Sequence, residues 1–269
     1  MARDEFFGNA DQQALLRRGQ ALAVLTRDDS RYSYYGRAVG LVEPADGDID
    51  QLAALAVAQG NSNYSAVPSA QVAGIISDLE ARDLVPLHYA KWEGAETALT
   101  AAQQVADSVP LPGDLTIVRV DATTPFAQLQ SFAEMALACS VLPMSGDMLR
   151  GNSKPAVCLL AVDQQANVVS CAAAASFAHP DHATYGGQAW WGMLATDPAR
   201  RGQRLALILG AQAMLQMNTE FGYCDFMTGV EPGNAPSEAV CRRMGLAPQG
   251  YSVIGCADPR ALASGRMTK

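Results

Sequence analysis

The stretch Trp191-Gly-Met-Leu-Ala-Thr-Asp-Pro-Ala-Arg-Arg-Gly-Gln-Arg-Leu-Ala-Leu-Ile-Leu209 carries the clearest chemistry in the chain. An apolar strand runs into Asp197-Pro198, a basic turn with Gly202 follows, and a long apolar helix starts directly after it. The first amides of a helix have no intrahelical partner and face a favourable dipole, so this order builds a site for an anion such as a phosphate. Gly202 lets the backbone approach the ligand closely. Arg200, Arg201 and Arg204 add a local basic patch.

The elements that hold this turn read from periodicity. Downstream of Pro110-Leu-Pro-Gly113 come strands at 115–120, 156–162, 168–177, 188–196, 225–231 and 251–256. Helices are expected from Thr124-Pro125 toward Cys139, over 203–221 and over 237–244, and Asp163 to Asn167 reads as a hairpin turn. Upstream, a helix within 1–30, strands at 34–42, 61–67 and 85–92, and helices from Asp48 to Ala58 and from Gln71 to Arg82 are expected. Hairpins mixed with strand–helix–strand crossovers imply an α/β layer fold. The Pro-rich punctuation divides the chain into 1–112 and 113–269. The helix after the basic turn is apolar almost all round, so it is expected to be covered twice: by the sheet, and by the N-terminal half or a second subunit.

The totals bound the function. The 269 residues carry 49% hydrophobic and 17% charged side chains, an ordinary globular composition, and a net charge of −8. That charge argues against broad binding to nucleic acid or to an anionic membrane surface. Six cysteines without paired spacing read as small core residues in a reducing compartment, and no metal site is expected. The charged Met1-Ala-Arg-Asp-Glu5 start lacks an apolar signal segment, so the expected location is the cytoplasm.

Two motifs together point to a family. Thr196-Asp-Pro198-Ala-Arg-Arg201-Gly202-Gln-Arg204-Leu-Ala206 and, about thirty residues on, Asn234-Ala-Pro-Ser237-Glu-Ala-Val-Cys241-Arg-Arg-Met-Gly245-Leu246 resemble the two signatures of the GNAT superfamily of acetyl-CoA-dependent N-acetyltransferases. The resemblance covers roughly 114–256. It implies a mixed, mostly antiparallel central sheet flanked by helices, joined here to an N-terminal α/β half-domain. It also implies acetyl-CoA as the acyl donor and direct transfer to a small-molecule or peptide amine.

Residue roles come with the resemblance. Leu194, Ala195 and Thr196 would pair with the pantetheine arm where their strand splays from its neighbour. The amides of Gly202, Gln203, Arg204, Leu205, Ala206 and Leu207 would cradle the pyrophosphate, with Arg201 beside them. Asn234 would bond the arm from the opposite wall, and Ser237 either contacts the cofactor or caps its own helix. Arg204 stands where the family turn has glycine, and binding through its amide requires a helical φ there. Cys241 stands where the family often has a proton-donating Tyr. A thiol donates poorly from an apolar helix, so Tyr251, Ser237 or water are the other donors, and Cys241 serves equally well as core.

Glu231, at the end of the strand lining the splay, is the candidate base. His179, Asp181 and His182 lie in a loop that in the family often faces the acceptor, and they also read as a plain polar turn. Trp190 and Trp191 are expected in the core, one with the option of lining the acceptor channel. The N-terminal half resembles a degenerate copy of the family domain, with the acidic Glu43-Pro-Ala-Asp-Gly-Asp48 where a basic turn belongs. The acidic total gives a mild preference for a cationic acceptor, and a homodimer is an open expectation. The alternative function is an acyl-CoA-binding regulatory module without catalysis.

Overall fold

The computed structural model describes residues 5–262; residues 1–4, the start of the charged N-terminus, and 263–269 lie outside it. The N-terminal half runs α1 (Ala10–Thr26), β1 (Tyr32–Tyr34), β2 (Val39–Leu41), α2 (Ile49–Gln59), β3 (Asn61–Pro68), α3 (Val72–Glu80), β4 (Val85–Gly94) and α4 (Glu96–Ser108). The C-terminal half runs β5 (Leu115–Arg119), α5 (Phe126–Ala138), α6 (Gly146–Leu149), β6 (Ala156–Asp163), β7 (Val168–Ser176) and β8 (Gln188–Thr196). It ends with α7 (Leu205–Phe221), β9 (Asp225–Val230), α8 (Ala235–Arg243) and β10 (Ala247–Ala257).

The described strands form one sheet in the order β1-β2-β3-β10-β4-β9-β8-β7-β6-β5. Its pairs are antiparallel except β2 with β3 and β8 with β9. This is the mixed, mostly antiparallel α/β sheet expected from the sequence. The segment expected as one strand over 34–42 splits into β1 and β2. It turns through Gly36, which has φ +87 and where a Cβ would come within 2.7 Å of Met144.

Helix α4 has no counterpart among the sequence expectations. Its buried positions are the small Ala98 and Ala102 with Val105, a weak apolar signal. These residues and α7 share one core with Trp191, and α4 packs against α7 and against β9. The second cover anticipated for that apolar helix thus comes from the N-terminal half.

The 112/113 division falls in the turn between α4 and β5, but the two halves exchange strands. β4 lies between β9 and β10, and β10 lies between β4 and β3. The order strand, helix, strand, helix, strand occurs twice, as β2-α2-β3-α3-β4 and as β8-α7-β9-α8-β10. Each run begins with a parallel strand pair, and the central β3-β10-β4-β9 reads the same when the halves are interchanged.

No helix among the described residues is long and apolar enough to cross a membrane. The described cysteines are all free thiols, and four of them (Cys158, Cys171, Cys241 and Cys256) are buried as expected, whereas Cys224 is exposed.

Candidate active site

The site originates in a parting of two parallel strands. β8 and β9 pair from Gln188↔Asp225 to Trp190↔Met227, and no pair follows, although β8 runs on to Thr196 and β9 to Val230. The cause lies on the other edge of β8. Its register with β7 shifts between Cys171 and Ala173, opposite Met193, whose φ of 54 marks a bulge. The Cys171 thiol donates to the Met193 carbonyl at 3.0 Å and secures the bend.

The gap opens a cavity of about 580 Å³. Leu194, Ala195 and Thr196 form one wall, Thr228 to Val230 the facing wall, and Ser237, Val240 and Cys241 of α8 a third side. Ala195 is turned to β7, and its carbonyl accepts from the Ser170 hydroxyl at 2.8 Å. Strand alternation turns the peptide groups of Leu194 and Thr196 the other way, toward the gap. The Thr196 carbonyl already accepts from the Cys139 thiol at 3.3 Å. Leu194 is therefore best placed to pair with an extended ligand, and Ala195 supplies surface rather than hydrogen bonds.

The basic turn follows this wall. Asp197 caps the short helical turn Pro198–Arg200 through the Ala199 amide. Arg200 is drawn off to Asp114 at 2.7 Å, while Arg201 lines the cavity. Gly202 has φ +81 and Arg204 φ +60, so the condition of a helical φ at Arg204 is not met. Arg204 adopts the left-handed conformation that a glycine would favour. Among the described residues, no backbone carbonyl pairs with the amides of Gly202, Gln203, Arg204, Leu205 or Ala206. The Leu207 amide differs from expectation: it donates to the Arg204 carbonyl at 3.0 Å and is not free for a phosphate.

The left-handed Arg204 yields a testable consequence. Replacing Arg204 with Gly should stabilise the fold by about 0.5–1 kcal/mol, the relieved strain less the added freedom of the unfolded chain. Thermal unfolding of R204G checks this, and a lowered melting temperature would contradict it.

The remaining candidates are placed as follows. Asn234 caps α8, its Oδ1 accepting from the Ser237 amide at 3.2 Å, so the cap role falls to Asn234 while Ser237 lines the cavity. Cys241 also lines the cavity, and burial pushes its thiol up to about 12. A thiol held protonated by burial is a weaker acid than a free one, which counts against Cys241 as the proton donor despite its position.

Glu231 is exposed, one residue beyond Val230 of the cavity wall. Tyr251 does not line the cavity; it is 38% exposed beside the irregular pairing of β10 with β4. His179 and His182 cap their own loop, and His182 Nε2 lies 3.8 Å from Glu43 Oε1. Their Nδ1 atoms accept from the amides of Asp181 and of Thr184 and Tyr185. No cluster of potential metal ligands occurs among the described residues.

The two tryptophans separate across the sheet. Trp191 packs beneath α7 and donates to the Gly210 carbonyl at 3.0 Å. Trp190 faces the other side and lines the cavity, stacked on Tyr35 at 4.8 Å with Arg37 above its ring. Tyr35, Arg37, Asn61, Asn63 and Tyr89 extend the cavity into the N-terminal half. Sequence reasoning missed all five, because tertiary contacts of the β1–β2 connection and the pairing of β3 and β4 with C-terminal strands bring them to the cavity from a distant part of the chain.

With this geometry in view, the comparisons with known proteins are informative about the fold. No protein-family model and no curated protein matches the sequence. Among solved structures, a tandem GNAT protein from the clavulanic acid biosynthesis pathway is 16% identical over 78% of this chain and 67% of that one, with a TM-score of 0.52. A GCN5-related N-acetyltransferase from Kribbella flavida is 15% identical over 95% and 98% of the two chains, with a TM-score of 0.56. A GCN5-related N-acetyltransferase-like protein from Streptococcus suis is 15% identical over 84% and 82%, at 0.52. The chain thus has the GNAT fold implied by its two motifs.

Proposed function

We propose that the protein is an N-acetyltransferase that carries acetyl from acetyl-CoA directly to an amine. One observation carries this reading: the opened β8–β9 edge leads directly to a turn of unpaired amides at the start of α7. The donor set fits the cofactor. Leu194 and Thr196 would hold the amide-bearing arm as an added strand, and the amides from Gly202 to Ala206 with Arg201 would hold the pyrophosphate. When bound, acetyl-CoA supplies an activated acyl group.

The chain's own contribution is orientation and exclusion of water by the Trp190, Met193 and Val230 surfaces. Among the described residues lining the cavity there is no Asp, Glu, His or Lys. The acceptor's proton therefore passes to solvent, with Glu231 beyond the wall as the candidate relay. Ser237 is placed to hydrogen-bond a departing sulfur, and water supplies its proton.

The matching order of the two halves supports reading 1–112 as a degenerate copy of the domain. There the acidic Asp48 stands at the start of α2, its carboxylate accepting from the Ala45 amide at 2.9 Å and from the Tyr64 hydroxyl. A carboxylate at that position repels a phosphate.

The test is CoA thiol release from acetyl-CoA in the presence of amines of different classes. Release that needs both substrates and rises with pH as the amine loses its proton is expected. Binding of acetyl-CoA with no release across the panel would favour the regulatory module instead.

A further inference from the structure

The cavity end remote from the basic turn contains a largely desolvated cation with no ion-pair partner among the described residues. Arg37 lines the cavity there, its Nη2 donating to the Leu142 carbonyl and its guanidinium 5.5 Å from the centre of the Trp190 ring. Its Nε is buried without any acceptor. No described acid forms an ion pair with it, and the nearby groups that act on its charge are Tyr35, Tyr89 and Cys171. Among the described residues, Arg37 and Arg201 are the only charged ones lining the cavity. Arg201 belongs to the turn before α7, so Arg37 sets the sign of the opposite end.

A buried charge without a partner is costly, and a site that keeps one is poised to be neutralised by what it binds. The position adds meaning. Trp190 forms the last β8–β9 pair before the strands part, so Arg37 lies over the throat through which an acyl group would emerge. The same cavity holds a second unsatisfied atom, Asn61 Oδ1, on a side chain that is 6% exposed. An unpaired donor cation and an unpaired acceptor together match a ligand with one anion and one N–H donor.

We propose that Arg37 selects an acceptor amine that carries a carboxylate, an amino acid or a close relative. The inference rests on the proposed acetyl transfer for its role but not for its binding chemistry. A planar guanidinium pairs well with a carboxylate. A single cation balances a monoanion, whereas a phosphate dianion would leave a charge uncompensated in a cavity with no second cation at that end. Polyamines and aminoglycosides would set cation against cation. The acceptor is thus anionic at this end, opposite to the mild cationic preference drawn from the total charge.

The test compares amino acids with the amines formed from them by decarboxylation. In the transfer assay, kcat/KM of the wild type should favour the amino acids by about 100-fold. In Arg37→Gln that ratio should fall to near one, and in Arg37→Lys, which keeps the charge but loses the fork, it should lie between. Thermal shift reads the same pairs without turnover: amino acids should raise the melting temperature of the wild type and not of R37Q.

If acetyl-CoA proves inert but the amino acids shift wild type alone, the transfer reading fails and the carboxylate site stands. Equal treatment of both amine classes by the wild type, or a preference that R37Q retains, overturns the proposal. So does tighter binding of a diamine than of any amino acid.

Discussion

Replacing Ala206 with Glu should abolish acetyl-CoA binding without harming the fold. Ala206 lines the cavity in the first turn of α7, and its amide has no backbone partner. A carboxylate there occupies the field that a phosphate would use and repels it at short range. The expected loss is at least about 100-fold in Kd, near 3 kcal/mol. The same dipole favours the new charge by about 0.3–1 kcal/mol, so the melting temperature should hold or rise slightly. Calorimetric titration beside thermal unfolding separates the two effects. Unchanged affinity in A206E would remove the phosphate from this turn.

The second large effect concerns a buried charge cluster below the cavity. Lys91 of β4 is fully buried, and its Nζ lies 2.7 Å from Glu93 Oε2 without meeting hydrogen-bond alignment. It also lies 4.3 Å from the centre of the Tyr185 ring. Gln188 ties Glu93 to Asp225, at 3.2 and 2.8 Å, and burial holds the Asp225 carboxyl above the usual range. Replacing Lys91 with Met leaves two enclosed carboxylates facing each other. A loss of about 3–5 kcal/mol is expected, a fall on the order of 10 °C in melting temperature.

The pH dependence has a definite sign. Without the ammonium, whose charge lowers it, the folded pKa of Asp225 rises further above the unfolded value near 4. A raised folded pKa adds stability below the unfolded pKa and loses it as pH climbs through the folded one. The deficit of K91M should therefore shrink from pH 7 toward pH 4.5. A deficit that grows on acidification would refute this account of the cluster.

The C-terminal site was legible because its signals are local. Asp197-Pro198, Gly202 and an apolar helix mark a turn whatever surrounds them. The backbone detail was not legible: a left-handed Arg204 and a Leu207 amide bonded to its carbonyl depend on how α7 packs, and α8 starts at Ala235 behind an Asn234 cap where the sequence suggested Ser237. The acceptor end was hidden for a different reason. Arg37 and Asn61 have no informative spacing in sequence: Arg37 lies in the β1–β2 connection, which hydrogen bonds from Tyr34 to Phe177 and from Arg37 to Leu142 hold to the C-terminal half, and Asn61 begins β3, which pairs with β10. Cys241 and Tyr251 show the limit of transferred roles. The first lines the cavity with its thiol made less acidic by burial, and the second lies outside the cavity.

The central claim is one coenzyme A cleft, between β8 and β9 and at the start of α7, in a chain whose other half has an acidic Asp48 in the corresponding turn. Titration calorimetry of acetyl-CoA into the protein tests it most directly. The expected result is saturable binding of one molecule per chain, lost in A206E. No binding at millimolar ligand, or two molecules per chain with one surviving in A206E, would contradict it.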